Sequence, residues 1–361
     1  MPCSIAIVGA GWYGCHIASV LTSFGFDVRL FDANTRPLHE ASGNNQFRLH
    51  LGFHYPRHNG TRVQSRDGFA RFMRRYPSLS RAVVGNYYAI ARNESLLDFE
   101  TYKAVMASSG VGFRTVDSPT LDLREVEGVL DTDERVLNTE AARQLFMRRL
   151  GNVMALGQCV SSIQQDADGV RVDGKRYDFV VDATWGHLTR PDVPLFYEPT
   201  MLLYYEGPLD HPALTMVDGP LCSVYPTEDP KVYTLSSVTH TPLGQTDSAA
   251  QARRMRDEVS SDMVEAVRQR MCAQIERYLP SFAQDFRFLG PQLAIKTKPM
   301  GLSDNRSCSV QRFGRVISVM SGKIDTIFYA SDCVLDILSE FLGGDILLDA
   351  GDFHHPHLRK A

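Results

Sequence analysis

The sequence predicts an α/β fold in two parts. One is built on a parallel sheet from separated stretches of chain, and the other is an α+β unit on a mixed sheet. Three observations predict this. An apolar run, Ser4–Val8, enters a glycine-rich turn and a helix that leads to a second apolar run ending at Asp32. Equally apolar runs return far along the chain, at 177–183 and 315–319. Between them, residues 199–242 alternate apolar and polar side chains in the manner of half-buried strands.

Composition bounds what such a fold does. The 361 residues allow two domains, and 43% hydrophobic with 22% charged residues is ordinary globular usage, needing no staples. Against 42 Asp and Glu stand 38 Lys and Arg, a net charge of −4, which offers no basic field for nucleic acid. No apolar run approaches the ~18 residues of a membrane span, and Ile5–Val8 is too short for a signal peptide. The seven cysteines are an odd number without a CxxC pair, which fits a reducing cytoplasm rather than a disulfide framework or a zinc site. We therefore expect a soluble, cytoplasmic protein whose partner is a small molecule, with no nucleic acid and no membrane. The sequence leaves its oligomeric state open.

In chain order, the first helix is expected from Gly11 to Phe24, with Ile17, Val20, Leu21 and Phe24 on one stripe and Gly25 as its stop. Residues 34–65 read as an extended connection, and a loop that long is usually functional. Helices follow at Val63–Tyr76 and Thr139–Leu150, flanking mixed strands from Asn86 to Val129. Strands are expected at Asn152–Leu156, Cys159–Ile163 and Gly169–Val172, then Thr200–Tyr205 and Lys231–Val238. One long polar helix is expected over Gln251–Leu279, and a final helix from Ile324 to about Leu342. The tail from His354 to Ala361 reads as loose.

The chemistry begins in the first turn. Gly9, Gly11 and Gly14 match G-x-G-x-x-G, with Trp12 and Tyr13 inside it. Gly9 permits the turn out of the strand, Gly11 lets backbone approach a pyrophosphate, and Gly14 lets the helix pack on the sheet. The helix start offers free N–H groups to the phosphates. Asp32, followed by Ala33, lies 18 positions past Gly14, where a carboxylate accepts from ribose hydroxyls and would repel a 2′-phosphate. A dinucleotide other than NADP is thus expected. An NAD dehydrogenase would continue with consecutive strand–helix units, whereas this chain leaves the sheet after Asp32 and returns at Tyr177–Gly186 and Arg315–Thr326.

That segment order resembles the FAD-dependent oxidoreductases of the D-amino-acid oxidase, glycine oxidase and sarcosine oxidase superfamily. Three motifs carry the resemblance: Ile7–Gly14 with Asp32; Asp178-Phe179-Val180-Val181-Asp182-Ala183-Thr184-Trp185-Gly186; and Gly314–Val319 with Ser321-Gly322-Lys323-Ile324-Asp325-Thr326. The last lacks the family's G-H-G, having Gly322-Lys323-Ile324 instead. The resemblance implies an oxidoreductase flavoprotein with FAD as cofactor. It also implies a discontinuous Rossmann-like FAD-binding domain (1–80, 138–198 and 312–361) and a second α+β substrate domain built on a mixed sheet (81–137 and 199–311). It further implies that Val160 contacts adenine through its backbone and that Ser42, Asn44, Asn45 and Gln46 pass under the flavin. Ala183, Thr184, Trp185 and Gly186 would lie beside the cofactor, and Gly322, Lys323, Ile324, Asp325 and Thr326 at the ring.

Around the ring, Arg48, His50, His54, Tyr55 and Arg57 crowd within ten residues. Histidine is a base near neutral pH, so His50 and His54, with Lys323, are the catalytic candidates. In a strand the two histidines would share a face. No third ligand accompanies them, so no metal is expected. Tyr55, Arg57, Tyr204, Tyr225, Lys296 and Lys298 are substrate candidates, the cations because they suit a carboxylate. The expected reaction is oxidation of a C–N single bond of a small amine or amino acid, with hydride passing to flavin N5. Two alternatives stay open: a non-redox flavoenzyme such as a sugar mutase, and a non-catalytic dinucleotide-binding protein.

Overall fold

Strand Ser4–Val8 is apolar on both faces because both are covered, and it sits at the centre of the parallel sheet. The computed structural model describes residues 2–167, 169–301 and 306–343. The tail expected to be loose, His354 to Ala361, lies outside the described residues, as do the last positions of the segment drawn from 312 to 361. The sheet has six strands in the order Ser309–Phe313, Val316–Met320, Phe179–Asp182, Ser4–Val8, Asp27–Asp32, Met154–Leu156. All neighbours run parallel except the first pair. Helix Trp12–Ser23 packs against helix Ile327–Phe341, and the core between them includes Ile17, Leu21, Val334 and Leu338, all at 0% exposure.

The second sheet has eight strands: Arg287–Pro299, Leu195–Glu206, Val232–Ser237, Cys222–Pro226, Ala213–Val217, Asn86–Ala91, Val126–Thr132, Phe113–Thr115. It is mixed, because Ala213–Val217 runs parallel to Asn86–Ala91 while the other pairs are antiparallel. Leu195–Glu206 spans the boundary drawn between residues 198 and 199. A small three-stranded sheet, Arg48–Leu49, Arg135–Leu137 and Ser80–Ala82, carries the chain between the two large ones. No helix among the described residues is long and apolar enough to cross a membrane.

Several elements differ from expectation, each for a local reason. The polar stretch 251–279 is two helices, Ala249–Asp257 and Ser261–Tyr278, because the Ser260 hydroxyl caps the second by accepting from the Met263 N–H. Helix Asn59–Arg75 starts four residues early, because the His58 imidazole accepts from the Thr61 N–H at 3.0 Å and makes Asn59-Gly60 its first turn. A helix, Phe99–Ser108, lies among the expected strands and is capped by Asp98. Residues 159–162 are not a strand, since the Asp173 carboxylate takes the Ser161 and Ser162 N–H groups; the strand is Ile163–Gln165. Strand Arg48–Leu49 ends before His50, so no strand pleat pairs the two histidines.

Candidate active site

At the first turn, each glycine faces an obstacle to any larger residue. Gly9 has φ +102°, and a Cβ there would meet the Ala183 carbonyl oxygen at 2.8 Å. At Gly14 a Cβ would fall 1.8 Å from the Gly9 oxygen, and at Gly11 it would fall 2.7 Å from Ser42 Oγ. Ser42 Oγ in turn accepts from the Trp12 N–H at 3.2 Å. The Trp12 ring itself is buried against Phe72 and Phe146, so only its backbone belongs to the turn. Asp32 Oδ2 accepts from the Ala10 N–H at 2.7 Å, and Oδ1 accepts from the Asn34 N–H at 2.7 Å and its side-chain amide at 3.0 Å. A carboxylate has about four acceptor positions, so Oδ2 keeps one for a hydroxyl. Ala33 is partly exposed beside it. The segment leading to Val160 runs alongside, with the Gln158 N–H donating to the Asp32 carbonyl at 2.9 Å.

The loop at 42–46 is held from within and from the second sheet. Asn44 Nδ2 donates to the His39 carbonyl and Asn45 Nδ2 to the Ala41 carbonyl. Gln46 Nε2 donates to Ser223 Oγ at 3.3 Å, while Gln292 Nε2 donates to the Asn45 carbonyl at 3.0 Å and to Tyr204 Oη at 2.6 Å. Tyr204 thereby braces the loop. Tyr225, at 0% exposure, lies 3.9 Å under the Arg48 guanidinium and packs rather than lining open space.

The three motifs meet. Phe179–Asp182 pairs with both Ser4–Val8 and Val316–Met320. Asp182 accepts from the Thr184 N–H and hydroxyl, shaping the turn that follows, and Trp185 and Gly186 both take positive φ there. A Cβ on Gly322 would strike the Trp185 ring at 2.9 Å. The Tyr13 hydroxyl donates to the Lys323 carbonyl and pairs with Thr326 Oγ1 at 2.6 Å, joining the first motif to the last. Residues Ile324–Thr326 form a 3-10 turn, so the final α-helix begins only at Ile327. Asp325 in that turn is fully buried, and neither carboxylate oxygen has a hydrogen-bond partner among the described residues.

Beside this turn lies the polar-aromatic loop. The Lys323 ammonium sits 3.8 Å from the Tyr55 ring centre, and the His50, His54 and Tyr55 rings lie 5.3 to 6.2 Å from one another. Burial, then the Lys323 charge, lowers the His50 pKa. Burial, then Arg48, His50 and Lys323, holds His54 well below the usual range. Both imidazoles are therefore neutral near pH 7. Arg57 is turned away into an ion pair with Asp218 at 2.8 Å and is 45% exposed.

On the facing strand, Lys296 and Glu198 are register partners, yet Glu198 is taken by Lys298 at 2.5 Å. The Lys296 ammonium has no hydrogen bond or ion pair among the described residues. Burial, then Lys298, lowers its pKa to about 8, and Arg306 and Lys323 push the same way. Sequence reasoning missed Glu134. Its carboxylate has 0% exposure and accepts from the Leu51 N–H at 2.7 Å and from the Tyr88 hydroxyl at 2.6 Å. It sits in a run of acids that reads as a solvated turn, so no signal marked it.

The residues fit a flavin dinucleotide. The turn is kept bare where a Cβ would fill it, and a buried carboxylate with no hydrogen-bond partner among the described residues stands where the third motif meets the first. Comparisons agree. The profile of the FAD dependent oxidoreductase family, DAO, matches residues 4–301. The chain is similar to the FAD-dependent monooxygenase FPY4 of Fusarium mangiferae, 57% identical over 339 residues, 94% of this chain and 92% of that protein. It is also similar to the FAD-dependent monooxygenase kojA of Aspergillus flavus, at 27% identity over 93% and 86% of the two chains. Among solved structures, glycine oxidase from Geobacillus kaustophilus shares the fold at a TM-score of 0.69 and 12% identity, covering 93% and 94% of the two chains. The amino acid oxidase NikD shares it at 0.69 and 13%, covering 98% and 96%. The chain belongs to the FAD-dependent oxidoreductase family and is an FAD enzyme.

Proposed function

We propose that this enzyme oxidises a C–N single bond of a small amino acid, binding the substrate carboxylate at Lys296 and taking the ammonium proton with His50 or His54. The observation that carries the reading is Lys296. It is a sheltered cation whose neighbouring carboxylate is already committed to Lys298, so it is left to attract an anion. The two neutral imidazoles are the matching half, since only an unprotonated ring accepts a proton. Loss of that proton would expose the nitrogen lone pair and ready the Cα–H bond to leave as hydride, for which FAD, when bound, would supply the two-electron acceptor. The product imine then meets water.

In this reading the turn at Gly9, Gly11 and Gly14 holds the pyrophosphate, Asp32 the ribose and the Val160 backbone the adenine. Ser42–Gln46, Thr184–Gly186 and Gly322–Thr326 surround the ring. The flavoprotein, mixed without oxygen with a panel of amino acids and amines, should lose its yellow absorbance with at least one of them. His50→Gln and His54→Gln should retain FAD, and at least one should slow that bleaching by about 10²-fold or more. A second reading is monooxygenation, favoured by the names of the Fusarium and Aspergillus relatives. It requires no anaerobic bleaching by substrate alone, together with incorporation of labelled oxygen into product when a nicotinamide reductant is supplied. That pair of results would displace C–N oxidation.

A further inference from the structure

Glu134 lies in the two-residue turn between strands Val126–Thr132 and Arg135–Leu137, where the chain crosses from the eight-stranded sheet to the small one. It is fully buried, and its two oxygens face different partners. Oε2 accepts from the Tyr88 hydroxyl and stands 3.8 Å from Arg48 Nη1. Oε1 accepts from the Leu51 N–H at 2.7 Å and the Gly52 N–H at 3.3 Å, and stands 3.7 Å from His50 Nδ1. One carboxylate thus grips the backbone just after His50 and also confronts its ring. Nδ1 is buried with no hydrogen bond of its own, and Nε2 has no hydrogen-bond partner among the described residues. Gly52 is needed for this grip: its φ is +110°, and a Cβ would meet the Arg62 Cα at 3.0 Å.

We propose that Glu134 is the positioning residue of the reaction, fixing His50 in the tautomer with the proton on Nδ1 so that Nε2 is the free base. The inference rests on the reading of His50 as proton acceptor. Other charged and titratable groups also face His50: Lys323 and Asp325 from the turn after Val316–Met320, and His54 and Tyr55 from its own loop, with Arg48 behind Glu134. Burial alone would raise the Glu134 carboxyl, but His50, Arg48 and the Tyr88 hydroxyl outweigh it and hold it at about 2, so it is an anion throughout the working range. An anion beside Nδ1 favours a proton there, and it opposes the Lys323 charge that lowers the His50 pKa.

The test uses the FAD-loaded enzyme with nitrogen-labelled histidine, His50 being assigned by its loss in His50→Gln. In the wild type the neutral His50 ring should show the Nδ1–H tautomer; an Nε2–H tautomer overturns the proposal without any Glu134 variant having to fold. In Glu134→Gln, which keeps an acceptor for the Leu51 N–H, the His50 midpoint should move down by about one pH unit or more, with FAD retained. An unmoved midpoint also overturns it. The anaerobic reduction rate is then followed against pH. If its acid limb moves with the midpoint, both Glu134 and the role of His50 stand. If the midpoint moves and the limb does not, Glu134 still sets His50, and His50 is not the base.

Discussion

The Lys323 ammonium rests on the face of the Tyr55 ring at 3.8 Å, so a charge from the last motif is held by a side chain of the loop after strand Arg48–Leu49. The residue is only 4% exposed, which makes this a sheltered cation rather than a surface one.

Reduced flavin carries negative charge, and a neighbouring cation stabilises it. Lys323→Met should therefore lower the flavin reduction potential and slow reduction by substrate. At ~30 mV per 1.4 kcal/mol for a two-electron couple, loss of a charge contact of that size is readily measured by dye equilibration. An unchanged potential would detach Lys323 from the flavin.

Gly11→Ala tests the turn. The new Cβ would sit 2.7 Å from Ser42 Oγ, and pushing the serine aside would cost the Trp12 N–H its acceptor. A hydrogen bond of this kind is worth about 1 kcal/mol, so FAD affinity should fall roughly fivefold. Fluorescence titration of the apoprotein measures it, and wild-type affinity would show that the pyrophosphate does not approach Gly11.

Lys296 gives a pH dependence of substrate binding. With a pKa lowered to about 8, the ammonium is present at neutral pH and lost as pH rises through 8. KM for the amino acid should rise above pH 8 while kcat is little changed, and Lys296→Met should show a raised KM at neutral pH that the wild type approaches above pH 8. A flat KM from pH 7 to 9.5 would count against a carboxylate at Lys296.

His16 makes folding acid-sensitive. Its ring is locked in the core, Nδ1 against the Tyr76 hydroxyl at 2.8 Å and Nε2 near Ser331 Oγ at 3.2 Å. Burial, then Arg71 and Arg75, depresses its pKa to about 3. An unfolded histidine takes its proton near pH 6.5, so below that pH the unfolded chain binds more protons and stability falls until about pH 3. The slope approaches ~1.4 kcal/mol per pH unit. His16→Gln should unfold more readily at pH 7 but lose less between pH 6.5 and 5; parallel denaturation curves at those pH values would show that the ring does protonate in place.

What the sequence made legible follows from how narrowly each position is constrained. Gly9, Gly11 and Gly14 are readable because backbone geometry admits one residue type there, and the strand beside them because both its faces are covered. Glu134 was not readable. Asp131, Asp133, Glu134 and Arg135 together look like a wet turn, and only the meeting of the eight-stranded sheet, the small sheet and the loop after Leu49 buries the third acid. The break at Ser260 and the early start at Asn59 turned on a single side-chain cap each. Lys296 and Lys298, two apart on one strand, look alike in sequence. The partner of only one of them is decided by a carboxylate on a strand about a hundred positions away.

The clasp between Tyr13 and the Lys323 carbonyl has a bearing on manufacture as well as on form. Its two ends are 310 positions apart, and the central sheet needs strands from both regions side by side. On the ribosome, the glycine turn must wait for the 310 positions that separate Tyr13 from Lys323 before its neighbours arrive, and contacts of such long range form slowly. The flavin pocket is therefore a late product of synthesis. A nascent chain stalled before Val316 should leave FAD free in solution, and one extended past Phe341 should capture it.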